Sequence, residues 1–123
     1  MLTDNQKSEL IKVINECRDN RLKVILCKAI PLWISGEIKP IQKSFGVSIQ
    51  GDEYSSYGCS CLLGTALIGE KYTSENHDLY EDLVAHFGFS YPEIDQIMYT
   101  FDGRDIKNKV ESVDKIRKIL FGE

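Results

Sequence analysis

Apolar side chains return every three or four residues over most of this chain, the period of a helix with one buried face. Leu10, Val13, Ile14 and Cys17 form the first stripe, and Thr3 with Gln6 has the spacing of a capping box at its start. Asp4 then falls in the first turn, where a negative charge suits the helix dipole. Asp19-Asn20 breaks the pattern. A stronger stripe follows in Leu22, Ile25, Leu26, Ala29, Ile30 and Trp33, with Arg21, Lys23 and Lys28 on the polar face. Pro31 lacks a backbone N–H and crowds the carbonyl of Cys27, which predicts a kink or an early end, and Gly36 is a natural stop.

Residues 37–57 change period. Phe45, Val47 and Ile49 alternate with Gly46 and Ser48, while Lys39-Pro40 and Gly51-Asp52 carry turn chemistry. The pattern fits a short hairpin pairing 45–50 with 53–57, bordered by Tyr54 and Tyr57. Residues 59–69 hold no charge and many small side chains, which predicts a buried central helix with Gly64 as a close-packing point. Ser74 or Asn76 can cap the next helix, whose stripe is Leu79, Leu83 and either Val84 or Phe87, ending at Gly88. Ser90 and Glu93 make a second capping box, with Pro92 in the first turn and Ile94, Ile97, Met98 and Phe101 inward. Asp102-Gly103 ends this helix. A last helix is expected over about 105–121, burying Ile106, Val110, Val113, Ile116 and Leu120. The chain therefore reads as one all-α domain over residues 1–123, a compact bundle of about five helices with a short β-hairpin or irregular loop at 37–57.

Composition agrees with a folded domain: 42% of the 123 residues are hydrophobic and 28% charged, too apolar for a disordered chain. No apolar run approaches the roughly 18 residues of a membrane span. Thr3 to Glu9 is too polar for a secretory leader, so a cytoplasmic location and no membrane partner are expected. The net charge of −4 disfavours direct binding to nucleic acid. It is unevenly spread. Residues 58–103 carry Lys71 against Glu70, Glu75, Asp78, Glu81, Asp82, Glu93, Asp95 and Asp102, whereas both terminal stretches are net basic. Such a local field can steer a basic partner.

Catalytic signatures are missing: there is no Gly-rich phosphate loop, no G-x-S-x-G and no H-E-x-x-H. His77 and His86 are nine residues apart and face opposite sides of a helix. Glu81 and Asp82 diverge as neighbours, and Asp102-Gly103-Arg104-Asp105 lacks the ligand count of a calcium loop. The four cysteines, Cys17, Cys27, Cys59 and Cys61, lack the Cys-x-x-Cys redox spacing. Cys59-Ser60-Cys61 makes a zinc or redox site only if Cys17, Cys27, His77 or His86 converges on it. A cofactor is not expected.

Residues 83–98 resemble a helix-turn-helix. Leu83, Phe87, Phe89, Ile94 and Ile97 fill the apolar positions, Gly88 the turn and Ser90 the start of the second helix. A DNA-reading helix would then offer Ser90, Tyr91, Pro92, Asp95 and Gln96, which give a phosphate backbone no positive charge. A DNA-binding role would need Lys23, Lys28, Lys107, Lys115 and Lys118 to converge. Residues 83–121 also resemble a ubiquitin-associated three-helix module, through Phe87-Gly88-Phe89, Gly103 and an apolar last helix. That resemblance implies a partner surface of Phe87, Gly88, Phe89, Ile119 and Leu120. Over residues 57–103, the order Tyr57-x-Cys59-x-Cys61-Leu62-Leu63-Gly64, Phe87-Gly88-Phe89-Ser90 with Glu93-Ile94, and Phe101-Asp102-Gly103 resembles small phage and bacterial proteins of no established activity. They carry an aromatic-Cys-x-Leu-Gly helix, and the likeness implies a shared helical core and a phage or bacterial source, with no catalytic residue.

The reading is a non-enzymatic protein-binding module, a phage or bacterial regulator or inhibitor that occludes a larger partner with a basic surface. Glu75, Asp78, Glu81, Asp82, Glu93, Asp95, Tyr54 and Tyr57 are the candidate contacts. The alternative is a zinc or redox protein using Cys59 and Cys61, and a third is a helix-turn-helix DNA binder.

Overall fold

The computed structural model of the chain describes residues 1–73 and 78–122. Among them are six helices: α1 (Asp4–Glu16), α2 (Asn20–Ser35), α3 (Leu62–Leu67), α4 (Leu79–Phe87), α5 (Tyr91–Phe101) and α6 (Glu111–Phe121). Four short strands lie between α2 and α3: β1 (Lys39–Pro40), β2 (Val47–Gln50), β3 (Glu53–Ser56) and β4 (Cys59–Ser60). The fold is mostly helical with a small sheet component, and it holds one helix more than the five expected. Residues Ser74, Glu75, Asn76 and His77, which include both expected caps of α4, lie outside the described residues.

The helix ends follow their local chemistry. Thr3 and Gln6 form the reciprocal capping box of α1. The Asp19 carboxylate caps α2 by accepting from the Arg21 and Leu22 N–H groups. Ser90 and Glu93 close the second box on α5. α2 does not stop at Pro31. Pro31 and Cys27 both lie on its exposed side, where water replaces the lost backbone bond, and the helix ends at Gly36 in the left-handed conformation.

The central segment departs from the expected 59–69 helix. Cys59 and Ser60 are extended because β1 lies parallel beside them, Lys39 opposite Cys59 and Pro40 opposite Ser60. The Lys39 N–H donates to the Gly58 carbonyl at 2.9 Å and the Ile41 N–H to the Ser60 carbonyl at 3.1 Å. The helix begins only at Leu62, with the Cys61 sulfur accepting from the Gly64 N–H at 3.4 Å. All six residues of α3 are buried, as the lack of charge implies. α3 packs against α2, α5 and the hairpin. Hairpin β2–β3 pairs Val47 with Ser56 and Gln50 with Glu53 across the Gly51-Asp52 turn, slightly inside the expected boundaries. The free edge of β3 is taken by residues 69–72, through Tyr54 N–H to Glu70 carbonyl at 3.0 Å and Gly69 N–H to Tyr54 carbonyl at 2.9 Å.

The last helix starts at Glu111, six residues later than expected. The Thr100 hydroxyl oxygen accepts the Val110 N–H at 3.1 Å, and Lys107, Asn108 and Lys109 are exposed with no apolar partner to hold a turn. One hydrophobic cluster draws on all six helices, with Leu10, Ile25, Leu26, Ile30, Leu62, Leu67, Leu83, Ile94 and Ile116 fully buried. Ile14 and Leu120, expected in the core, are half-buried at its margin. Trp33 stacks on Phe101 at 5.8 Å between centroids, and Phe121 meets Phe101 edge-on at 5.7 Å.

Gly64 is where the chain leading into the hairpin crosses α3. A Cβ there would lie 1.9 Å from the Phe45 carbonyl oxygen, a clash with backbone that no rotamer relieves. Gly64→Ala is therefore expected to lower stability by about 3 kcal/mol. At an open helix position the same change would raise it by about 1 kcal/mol. Denaturant unfolding decides the sign, and a variant at least as stable as the parent contradicts the close approach.

Candidate functional site

α4 and α5 meet at a tight turn, and the contact of Tyr80, near the start of α4, with Tyr91, at the start of α5, marks one corner of the pair. Asp78 caps α4 by accepting the Tyr80 N–H at 2.9 Å. Gly88 ends α4 with φ of 75°, a conformation that favours glycine. Arg21 from α2 holds the turn. Its guanidinium donates to the Gly88 carbonyl at 2.8 Å and to both Glu93 carboxylate oxygens at 3.1 and 2.5 Å, and it lies over the Phe89 ring. The Arg21 hydrogen bonds, with the Ser90 N–H, hold the Glu93 carboxyl down to about 2.

The corner itself is acidic and aromatic. Tyr80 donates to the Asp95 carboxylate at 2.6 Å, and its ring meets Tyr91 edge-on at 5.5 Å. Burial and the hydrogen bond to Asp95 push the Tyr80 hydroxyl well above its ordinary range. Tyr91 remains 47% exposed. Partial desolvation raises the Tyr91 hydroxyl, and the charges of Asp78 and Glu81 add to the rise. Val84, one turn along α4 from Tyr80, is also exposed. An arginine or lysine brought here meets an acidic, aromatic surface.

The expected contact residues therefore separate. Asp78 caps α4, Glu81 stands in its first turn, and Asp95 on α5 accepts from Tyr80. Glu93, at the start of α5, is bonded by Arg21. Tyr57 is 74% exposed in the turn after β3, apart from the corner in the chain. Glu75 lies outside the described residues. Asp82 and Tyr54 are corrected: both are buried, and they bond each other. The Asp82 carboxylate also accepts from the Thr73 hydroxyl and, at 3.2 Å, from the Thr73 N–H. Burial would raise the Asp82 carboxyl, but the bonds from Thr73 and Tyr54, with the nearby His86, outweigh it and hold it below its ordinary value. Tyr80 was missed in the sequence, and Tyr91 was named only for a DNA-reading helix. The signal was there in part, since Tyr91 and Asp95 are four residues apart on one helix face.

A second polar group borders this node. Lys28 reaches Glu70 at 2.5 Å, and the His86 Nδ1 lies 3.9 Å from the same carboxylate. The His86 Nε2 is 2.6 Å from the Lys71 carbonyl, which only accepts, so Nε2 carries the proton. The His86 ring nitrogens face Glu70 and Lys71, and no cysteine. Burial pushes the Cys61 thiol up to about 11, against a thiolate role, and Cys59 lies half-buried in β4. Among the described residues, no group of three or more His, Cys, Asp or Glu side chains converges as a metal site. Of the lysines of the DNA-binding reading, Lys28 pairs with Glu70, Lys115 with Glu16 and Glu111, and Lys118 with Asp114. Of the surface implied by the ubiquitin-associated likeness, Phe87 and Phe89 are buried, and the Gly88 carbonyl accepts from Arg21. Among the described residues, no helix is long and apolar enough to cross a membrane.

Comparison of the chain with models of known protein families, with curated proteins and with solved structures finds no match.

The Asp82 node makes a pH-dependent prediction. A carboxyl lowered in the folded state contributes stability above its unfolded value, near 3.8, and loses it as pH falls through the folded value. Asp82→Asn should thus cost about 2 kcal/mol at neutral pH. The gap from the parent should close progressively below pH 4 or so. Denaturant melts across the acid range test this; a gap independent of pH contradicts an ionised Asp82.

Proposed function

We propose that this chain is a small non-enzymatic protein-binding module, and that the α4–α5 corner is its contact with a basic surface on a larger partner. The single observation that carries the reading is the half-exposed Tyr91 ring packed edge-on against Tyr80, whose hydroxyl donates to the Asp95 carboxylate. Tyrosines of this kind supply area at low entropy cost and rank high among residues that dominate interface energies. The carboxylates supply attraction for lysine or arginine and a fast approach. Carboxylates arrayed along two helix ends can also occupy a site built for phosphates, so competition with nucleic acid for one basic surface is the sharpest form of the proposal. In that form the chain is an inhibitor or regulator by occlusion, touching neither nucleic acid nor membrane. The phage or bacterial setting is carried by the aromatic-Cys-x-Leu-Gly resemblance.

The test compares parent, Glu81→Lys and Tyr91→Ala as baits in lysate of the source organism, with bound proteins identified after low-salt and high-salt washes. Both side chains are exposed, so both variants are expected to fold as the parent does. The reading expects a partner held by the parent at low salt, released at high salt, and recovered about tenfold less by each variant. The same partner held equally by all three baits, or held equally in both washes, overturns it.

A further inference from the structure

On a different face, a groove of about 500 Å³ opens where the start of α1, the end of α2, β1 and the end of α6 meet. Its walls are apolar, with Leu2, Ile34, Ile38, Leu120 and Phe121 among them. The volume falls in the range of small-molecule sites, which are concave, mostly apolar and carry a few placed polar groups.

The polar side chains left unpartnered here have one character. Five line the groove: Gln6, Lys7, Trp33, Ser35 and Lys39. Gln6 is used at both ends, accepting from the Thr3 N–H and donating to the Ile119 carbonyl. Ser35 donates to the Leu32 carbonyl and accepts from the Glu37 N–H. The other three are donors only. Trp33 is 2% exposed, and its buried Nε1 has no hydrogen-bond partner among the described residues. Buried donors of this kind are uncommon and costly. Neither Lys7 nor Lys39 forms an ion pair among the described residues, and no acidic side chain lines the groove. In a chain with excess acid, two lysines with no acidic partner stand beside an apolar groove.

We infer that this groove binds a small amphipathic carboxylate, an aliphatic or aromatic acid whose apolar body fills the groove and whose carboxylate meets Lys7 and Lys39. The carboxylate is the complement of a donor-only set, since an ionised carboxyl only accepts. The apolar body covers Ile38, Leu120 and Phe121. The site is independent of the α4–α5 corner, so either proposal can fail alone.

Decanoate, kept below its micelle concentration, is the probe. Trp33 is the one tryptophan of the chain and lies against the groove wall, so its fluorescence reports on the groove, and calorimetry reports binding in parallel. A saturable one-site isotherm is expected for decanoate, with decyltrimethylammonium giving none. The double variant Lys7→Gln with Lys39→Gln should bind decanoate about tenfold more weakly, the effect of losing two partly exposed ion pairs. These two side chains lie at the surface, and an unchanged melting temperature will show that the variant folds. No saturable isotherm for decanoate by calorimetry, equal affinity in parent and double variant, or equal affinity for the cationic probe each overturns the inference.

Discussion

An ionised carboxylate with no solvent-exposed surface has to be bonded on every side, and Asp82 is such a group. Its partners come from separate parts of the chain: Tyr54 from the hairpin and Thr73 from the segment that edges it. Because the charge must be satisfied, the start of α4 is held against β3 and cannot slide along it. Arg21 does the equivalent from α2, through the Gly88 carbonyl and the Glu93 carboxylate. Between these two anchors the α4–α5 turn is fixed, and with it the placement of Tyr80, Tyr91, Asp78, Glu81 and Asp95.

The charge asymmetry of the sequence acquires a different meaning in three dimensions. Acids between residues 58 and 103 are met by bases from the N-terminal third: Glu70 by Lys28 and Glu93 by Arg21, both from α2. Asp82 is consumed inside the fold, and Asp102 accepts the Lys43 N–H at 2.8 Å. Two of these acids are therefore paired with bases and two more are held by neutral hydrogen-bond donors. The fold, and not the sequence total, tells these roles apart.

Local chemistry was legible wherever it decided the structure. The capping pairs Thr3–Gln6 and Ser90–Glu93, the stops at Gly36 and Gly88, and the stripes of α2 and α5 all act within a turn or two of helix. Pairing across long separations was not. Cys59-Ser60 reads as helix because its small uncharged residues suit one, but β1, twenty residues earlier, draws it into a strand. Glu81 and Asp82 are adjacent and chemically alike, yet one faces water and the other has no exposure, a difference set by Tyr54 and Thr73. The corner was half legible: its acids were visible as charge, but the Tyr80–Asp95 and Tyr80–Tyr91 contacts bridge two helices. The groove beside Trp33 was invisible, since its walls come from both ends of the chain.

The account rests on the acids dividing into anchors and outward groups, and carboxyl-detected NMR across an acid titration reads that division residue by residue. Asp82 is predicted to titrate below the ordinary aspartate value of 3.8, and Glu93 at about 2. An Asp82 resonance titrating above the ordinary value would mean a buried carboxyl without its Thr73 and Tyr54 bonds. The anchor, the placement of α4 and the corner it presents would then be wrong together.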